Sequence, residues 1–324
     1  MEEKIFTVGL LTSGGDAPGM NAAVRAVVRR GIAKGMKILG IRRGYSGLLR
    51  EEFIPLDARS VSHILQHGGT ILETARCPEF ELEEVQAQAA EICRRREIDA
   101  LVIIGGDGSF HGAEKLSKLG VNVIGIPGTI DGDIGCTDYT IGFDTAVNTA
   151  MRAIDNIRDT ASSHEKCSIV EVMGRNAGHI AVWCGIANGA EQVLIPEKYD
   201  YNEGRIVKTL SQHRADGKKN NIIINAEGIG DTDKMARRIS AMAGVNIRAT
   251  ILSYVQRGGS PTCRDRVYAS IMGAKAIDLL SDGAKNRVIA YRDGKFVDYD
   301  ITEALQMEGR MLEYMYEILE DLSM

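Results

Sequence analysis

ALVIIGGDGSFHGAEKLSKLGVNVIGIPGTIDGD, residues 100–133, decides the architecture of this chain. Its two apolar runs, LVIIG and VNVIGI, have almost no polar interruptions, as in strands covered on both faces of a parallel sheet. Between them the apolar positions recur at helical spacing and predict a helix over 112–119. Strand, helix and strand in so short a space make a right-handed crossover of an α/β protein.

The same alternation runs outward on both sides. Strands are predicted at 6–11, 38–42, 100–104 and 121–126, then at 168–172, 192–195, 221–225 and 287–290. Helices are predicted at 20–34, 82–96, 145–161 and 264–280. Residues 137–142 and 253–260 lack periodicity and read as crossings between domains, and 324 residues suit two domains of ordinary size. With 44% hydrophobic and 26% charged residues, each half can bury a core. A net charge of −5 excludes a sequence-independent nucleic-acid binder, which needs a basic surface. No apolar run is long enough to span a bilayer, and the opening residues lack the basic and apolar regions of a secretion signal. Six cysteines without a C-x-x-C pair read as thiols in a reducing compartment, so a cytoplasmic protein without membrane contact is expected.

Ligands of open parallel sheets sit at the carboxyl ends of strands, where glycines and acids are therefore informative. LLTSGGDAPGMNAAVR (10–25) follows the first strand: either a phosphate-binding loop at a helix start or a plain tight turn. It is not a P-loop, because Met20 and Asn21 stand where Lys and Ser/Thr are required. LVIIGGDGSFHG (101–112) places Asp107 at the mouth of a buried strand, either as a ligand of Mg²⁺ on nucleotide phosphates or as a helix cap. VIGIPGTIDGDIGCTDYTIGFDTA (123–146) sets Asp131 and Asp133 two apart beside Thr129. That pair reads as a base for an alcohol with its electrostatic neighbour, as a second metal ligand, or as a surface turn. Candidate phosphate holders are Arg76, Lys166, Arg175, Arg248 and Arg257, the last in the QRGGSP loop.

TSGGDAPGMNAAVR, GGT-x-L-x-x-AR, IGGDGS, GIPGTID-x-DI, EVMGR-x-AG and QRGGSP occur in one chain, in order, and together resemble the ATP-using 6-phosphofructokinase family from about residue 6 to 305. The resemblance implies two Rossmann-like three-layer α/β domains with mainly parallel sheets and an active site in the cleft between them. Residues 1–142 with 256–306 would form a larger ATP-binding domain, and 143–255 with 307–324 a smaller sugar-phosphate-binding one. It further implies a glycolytic kinase that uses Mg²⁺ and ATP to phosphorylate fructose 6-phosphate, assembled as a homotetramer with sites shared between subunits.

Position by position, the resemblance assigns Gly15, Tyr45, Arg76 and Cys77 to the ATP site. Gly106, Asp107, Gly108, Ser109 and Gly112 join them, with Asp107 as the Mg²⁺ ligand. Thr129 and Asp131 match the substrate and base positions, with Asp133 beside them, and Arg76 and Arg175 steady the transferring phosphate. Met173, Gly174, Arg175 and Glu227 match residues that hold the fructose unit. Lys166, Arg248, Tyr254 and Arg257 match its 6-phosphate pocket, Lys166 and Arg248 from a neighbouring chain. Arg25, Arg29, Arg158, Glu191 and Lys218 match an allosteric site for ADP or phosphoenolpyruvate.

Glycine at both 108 and 128 favours ATP over pyrophosphate as donor, since relatives using pyrophosphate carry an acid and a Lys there. This chain departs from the family at Gly132, where Asn is usual, and at Lys166 and Tyr254, where Arg and His are usual. Ala58 and Asp216 replace basic residues of the effector site, so weak allosteric control is expected. Another ketose phosphate such as tagatose 6-phosphate, or a non-catalytic regulatory role, remains the alternative reading.

Overall fold

The computed structural model describes residues 6–164, 167–198, 202–218, 220–310 and 313–322; Lys166 lies outside them. The chain divides into two compact units, Met1–Thr145 with Arg257–Arg310, and Ala146–Gln256 with Met311–Met324.

The first unit opens with β1 (Thr7–Ser13), α1 (Met20–Ala33), β2 (Lys37–Ile41), α2 (Gly44–Leu49) and β3 (Phe53–Leu56). It continues with α3 (Glu83–Arg95), β4 (Ala100–Gly105), α4 (Asp107–Lys118), β5 (Asn122–Thr129) and the short β6 (Ile141–Gly142). Helix α5 (Phe143–His164) starts here and carries the chain into the second unit. There follow β7 (Cys167–Val172), α6 (His179–Asn188), β8 (Gln192–Leu194), α7 (Glu203–Ala215), β9 (Asn221–Ala226), α8 (Thr232–Ala243) and β10 (Ile247–Ile251). The return to the first unit brings α9 (Cys263–Ser281), β11 (Arg287–Arg292), β12 (Lys295–Asp300) and α10 (Ile301–Gln306), and α11 (Glu313–Leu322) belongs to the second.

The first sheet has the order β12-β11-β5-β4-β1-β2-β3, with β6 beside the end of β5. Its middle strands are parallel, and antiparallel β3 and β12 close the two edges. The second sheet, β10-β7-β9-β8, is parallel throughout. Two mainly parallel sheets are what the buried runs predicted. Leu101, Val102, Ile103 and Ile104 are inaccessible to solvent, which is why no polar residue interrupts that strand. In the first unit, Tyr45 and Leu48 of α2, Ala89 and Ile92 of α3, and Phe110 and Leu116 of α4 share one core with the sheet. In the second, Ile206 and Leu210 of α7 and Met235 and Ile239 of α8 cover Ile169 and Ile223.

Chain winding sets the site. β1 leads away to β2 while its other neighbour, β4, leads to β5, so β1 and β4 flank a topological switch point with Ser13 opposite Gly105. The helix predicted at 112–119 begins earlier, at Asp107. A helix's first turn has no intrahelical N–H partners to lose, so Gly108 does little harm there. Strands β3, β10 and β12 escaped prediction because they are edge strands, mostly half-exposed, with no continuous apolar run to announce them.

Candidate active site

Three loops of the first unit converge at the switch point. After β1, Gly14 and Gly15 are exposed, and the Thr74 hydroxyl donates to the Gly14 carbonyl, tying down the segment that leads to Arg76. After β4, a Cβ on Gly105 would lie 2.5 Å from Ser109 Oγ and 2.7 Å from the Ser13 carbonyl, so only glycine lets the strand run this close. Asp107 is then the first residue of α4. The capping position belongs to Gly106, and no side chain caps the helix, which removes the helix-cap reading of Asp107. Its carboxylate is 44% exposed, with His111 Nε2 at 3.5 Å. Gly108 faces open space.

Tyr45 supports this loop from inside the protein. Its ring stacks on Phe80 at 4.1 Å, its hydroxyl donates to the Ser109 carbonyl at 2.5 Å, and Gly112 leaves room for the ring. Burial raises the phenol's pKa well above its ordinary value, so it stays a donor. Cys77 is half-buried, and that burial, together with Glu79, pushes its thiol up to about 11. Arg76 is exposed and has no hydrogen-bond or ion-pair partner among the described residues.

Thr129 ends β5 next to the β4 loop, its Cβ 3.6 Å from where a Cβ on Gly106 would be. Its hydroxyl accepts the Asp131 backbone N–H at 3.1 Å, closing a tight turn that holds Asp131 buried, at 7% exposure, beside half-buried Asp133. Gly132 has φ +70°, a conformation Asn also adopts readily, so its departure from Asn leaves the turn intact. Arg257 lies across the first loop, with Nη1 donating to the Asp16 carbonyl at 3.2 Å, and a Cβ on Gly15 would fall 2.2 Å from that nitrogen.

The second unit gathers its candidates at the end of β7. Gly174 has φ +141°, and a Cβ there would strike the Ala177 carbonyl at 2.3 Å. Arg175 follows at φ +57° with its side chain exposed. One oxygen of Glu227, just past β9, accepts from both the Gly174 and Arg175 N–H groups, at 3.2 and 2.5 Å. Met173 is buried, its N–H bonded to Gln256 Oε1 at 3.3 Å. Arg248 is exposed on edge strand β10, and Tyr254, 74% exposed, sits in the turn that follows.

Comparison with known proteins gives this geometry its context. The phosphofructokinase family model matches residues 7–280. The chain belongs to the phosphofructokinase family. An ATP-dependent 6-phosphofructokinase of Clostridium botulinum is 53% identical over 98% of this chain and 99% of its own length. That of Clostridium acetobutylicum is 54% identical over the same shares. Among solved structures, Pichia pastoris phosphofructokinase in the T-state superposes with a TM-score of 0.88 at 32% identity, covering 99% of this chain. This chain spans only 37% of that longer one.

Of the five residues expected at an effector site, three meet in the second unit. Lys218 Nζ lies 3.1 Å and Arg158 Nη1 3.7 Å from a Glu191 oxygen, and Glu191's other oxygen accepts the Ile222 N–H. Arg25 and Arg29 are on α1 of the first unit, where burial and Arg29 lower the Arg25 pKa. Two bracing residues near the site carried no sequence signal. Asn21, dismissed above only as a non-Ser/Thr, donates to the His67 carbonyl at 3.1 Å and accepts from the Ile71 N–H at 2.8 Å, fixing the loop toward Arg76. Asp265 is fully buried, which nothing in its exposed-looking CRDRV context suggested. No helix among the described residues is long and apolar enough to cross a membrane.

Proposed function

We propose that this chain transfers the terminal phosphoryl group of ATP to the C1 hydroxyl of fructose 6-phosphate. The observation that carries this reading is the placement, on neighbouring strand ends of one unit, of a half-exposed carboxylate at a helix start and a buried one in a tight turn. It stands in a chain more than half identical to ATP-dependent 6-phosphofructokinases along nearly its whole length.

Gly15, Gly106, Gly108 and Ser109 bring backbone N–H groups and the start of α4 to the nucleotide phosphates. Tyr45 and Gly112 keep that loop in shape, and Cys77, uncharged at neutral pH, lines its edge. Asp107 suits Mg²⁺: among the described residues no cluster of three or more metal-ligating side chains exists, and this ion is content with one carboxylate plus phosphate and water oxygens. Bound there, it supplies neutralisation of charge on the donor phosphates.

Asp131 accepts the C1 hydroxyl proton as the oxygen attacks phosphorus, with Thr129 holding it in place and Asp133 as its electrostatic neighbour. Arg76 and Arg175 balance charge on the transferring group. Glu227, having spent one oxygen on the backbone, keeps Oε2 for a sugar hydroxyl. Met173 and Gly174 shape its surroundings. Arg257, Arg248, Tyr254 and Lys166 take the 6-phosphate. Lys166 and Arg248 would come from a neighbouring chain of a homotetramer, which suits Arg248, exposed and without a side-chain partner among the described residues. Arg158, Glu191 and Lys218 retain part of a site for ADP or phosphoenolpyruvate, weakened by Ala58 and Asp216.

An assay of ADP release tests the reading. With ATP and a panel of ketose phosphates, fructose 6-phosphate is expected to give the highest kcat/KM, and pyrophosphate to fail as donor. Preference for tagatose 6-phosphate, or no turnover at all, would overturn it.

A further inference from the structure

We infer that Asp265 is a positioning residue that sets the separation of the proton acceptor Asp131 from the phosphate-holding Arg257. The inference rests on the roles proposed above for those two residues.

Asp265 is inaccessible to solvent, in the first turn of α9. Oδ1 accepts from the Tyr139 hydroxyl at 2.5 Å and the Gly142 N–H at 2.7 Å; Oδ2 accepts from the Thr145 N–H at 2.9 Å and from the Thr145 hydroxyl. A carboxylate buried without hydrogen bonds is costly, and here four donors from residues 139–145 stand in for water.

One side of this junction leads to the base. Gly142 pairs with Thr129 between β6 and β5, and the Thr129 hydroxyl accepts the Asp131 N–H. The other side leads to the arginine. Thr262 caps α9 through Asp265's own N–H, donates its N–H to the Thr145 hydroxyl at 3.0 Å, and donates its own hydroxyl to Asp144 at 2.6 Å. Arg266 braces the same turn by donating to the Pro261 carbonyl and to Ser260 Oγ, both at 2.8 Å. The segment from Ser260 to Asp265 is therefore braced, and this carboxylate and its threonine neighbours tie it to residues 139–145, which lead to the Asp131 turn. Both oxygens must accept. An amide in its place would set an NH₂ group against the Thr145 N–H and move the two loops apart.

The Asp265 atoms nearest a Cβ built on Gly19 would be its Cβ and carbonyl oxygen, not its carboxylate, so exchange of the carboxylate for an amide leaves that approach as it is. That makes Asp265→Asn the variant of choice, with Tyr139→Phe, which deletes one donor and leaves the carboxylate buried, as a milder second. Steady-state kinetics in both substrates and thermal unfolding are measured on wild type and both variants. For Asp265→Asn, kcat is expected to fall roughly tenfold to a hundredfold, because small misplacements of reacting groups cost that much. KM for fructose 6-phosphate is expected to rise about tenfold while KM for ATP stays within about twofold. Tyr139→Phe shifts the same two parameters in the same direction by about two- to threefold. A residue that only stabilises the fold would lower the melting temperature and the active fraction and leave both KM values at wild type; that result overturns the proposal. If Asp265→Asn does not fold, unchanged kcat and fructose 6-phosphate KM in Tyr139→Phe overturn it equally. A wild type inactive on ATP and fructose 6-phosphate would instead sink the function itself, and this proposal with it.

Discussion

In the first unit the loops after β1, β4 and β5 take their shape from close backbone packing, as where Gly105 lies against Ser13 and Ser109. In the second, the loop after β7 is closely packed at Gly174 as well, but one oxygen of Glu227 also receives its Gly174 and Arg175 N–H groups. The difference separates two kinds of robustness. A loop shaped by packing keeps its geometry when a functional side chain on it is changed, so substitutions there report on chemistry. A loop tied in addition by a charged acceptor loses that tie with the acceptor, so substitution of the acceptor reports on positioning.

The sharpest test of the first half is Asp131→Asn. The turn should survive, because it is closed by the residue's own N–H on Thr129. Turnover is then expected to fall roughly 10²–10⁴-fold, the usual contribution of a general base, with ATP affinity nearly unchanged. More than about a tenth of wild-type kcat would remove Asp131 from the role of base.

Glu227→Ala tests the second half. It strands two N–H groups that bond a charged acceptor, each such bond being worth about 1.5–3 kcal/mol. KM for fructose 6-phosphate should rise roughly tenfold to a hundredfold, and Glu227→Gln, which keeps an accepting oxygen, should recover part of that loss. Equal defects in Gln and Ala would mean that the charge acts on the sugar alone and that the comparison between the units is wrong.

Gly108→Asp carries a smaller expected effect. The space around this Cα is open, so the carboxylate can be built without moving the loop, and its repulsion of the nucleotide phosphates should raise the ATP KM about tenfold. Gly108→Ala is the steric control and should stay within about twofold. Gly128→Lys is a poorer probe of donor choice, because a Cβ there already presses on Ile104 and Met20 at 3.0 and 3.1 Å. An unchanged ATP KM in Gly108→Asp would place the phosphates elsewhere.

The smallest change is expected from Tyr254→His. Tyr254 is held by nothing around it, being 74% exposed, so a substitution acts only through what its tip offers the 6-phosphate. An imidazole becomes cationic below a pKa of about 6.5, so the variant should bind fructose 6-phosphate a few-fold more tightly near pH 6 than near pH 8. Wild type should lack this component across the same range. A pH-independent KM ratio between variant and wild type would remove position 254 from the phosphate site.

The mainly parallel sheets were legible in the sequence, because strands buried on both faces read as near-continuous apolar runs such as LVIIG and VNVIGI. The sequence also marked the candidate strand ends, since a lone acid set among glycines after such a run has no obvious packing benefit. Edge strands β10 and β12 stayed hidden, half-exposed and without a pattern of their own. That Asp107 caps nothing, that Tyr45, assigned to the ATP site, is buried beneath the α4 loop, and that Asp265 and Asn21 are internal braces came from the fold. A hydrogen bond between residues 120 apart in the chain leaves no local periodicity. Its partners are ordinary polar residues until the fold brings them together and removes the water.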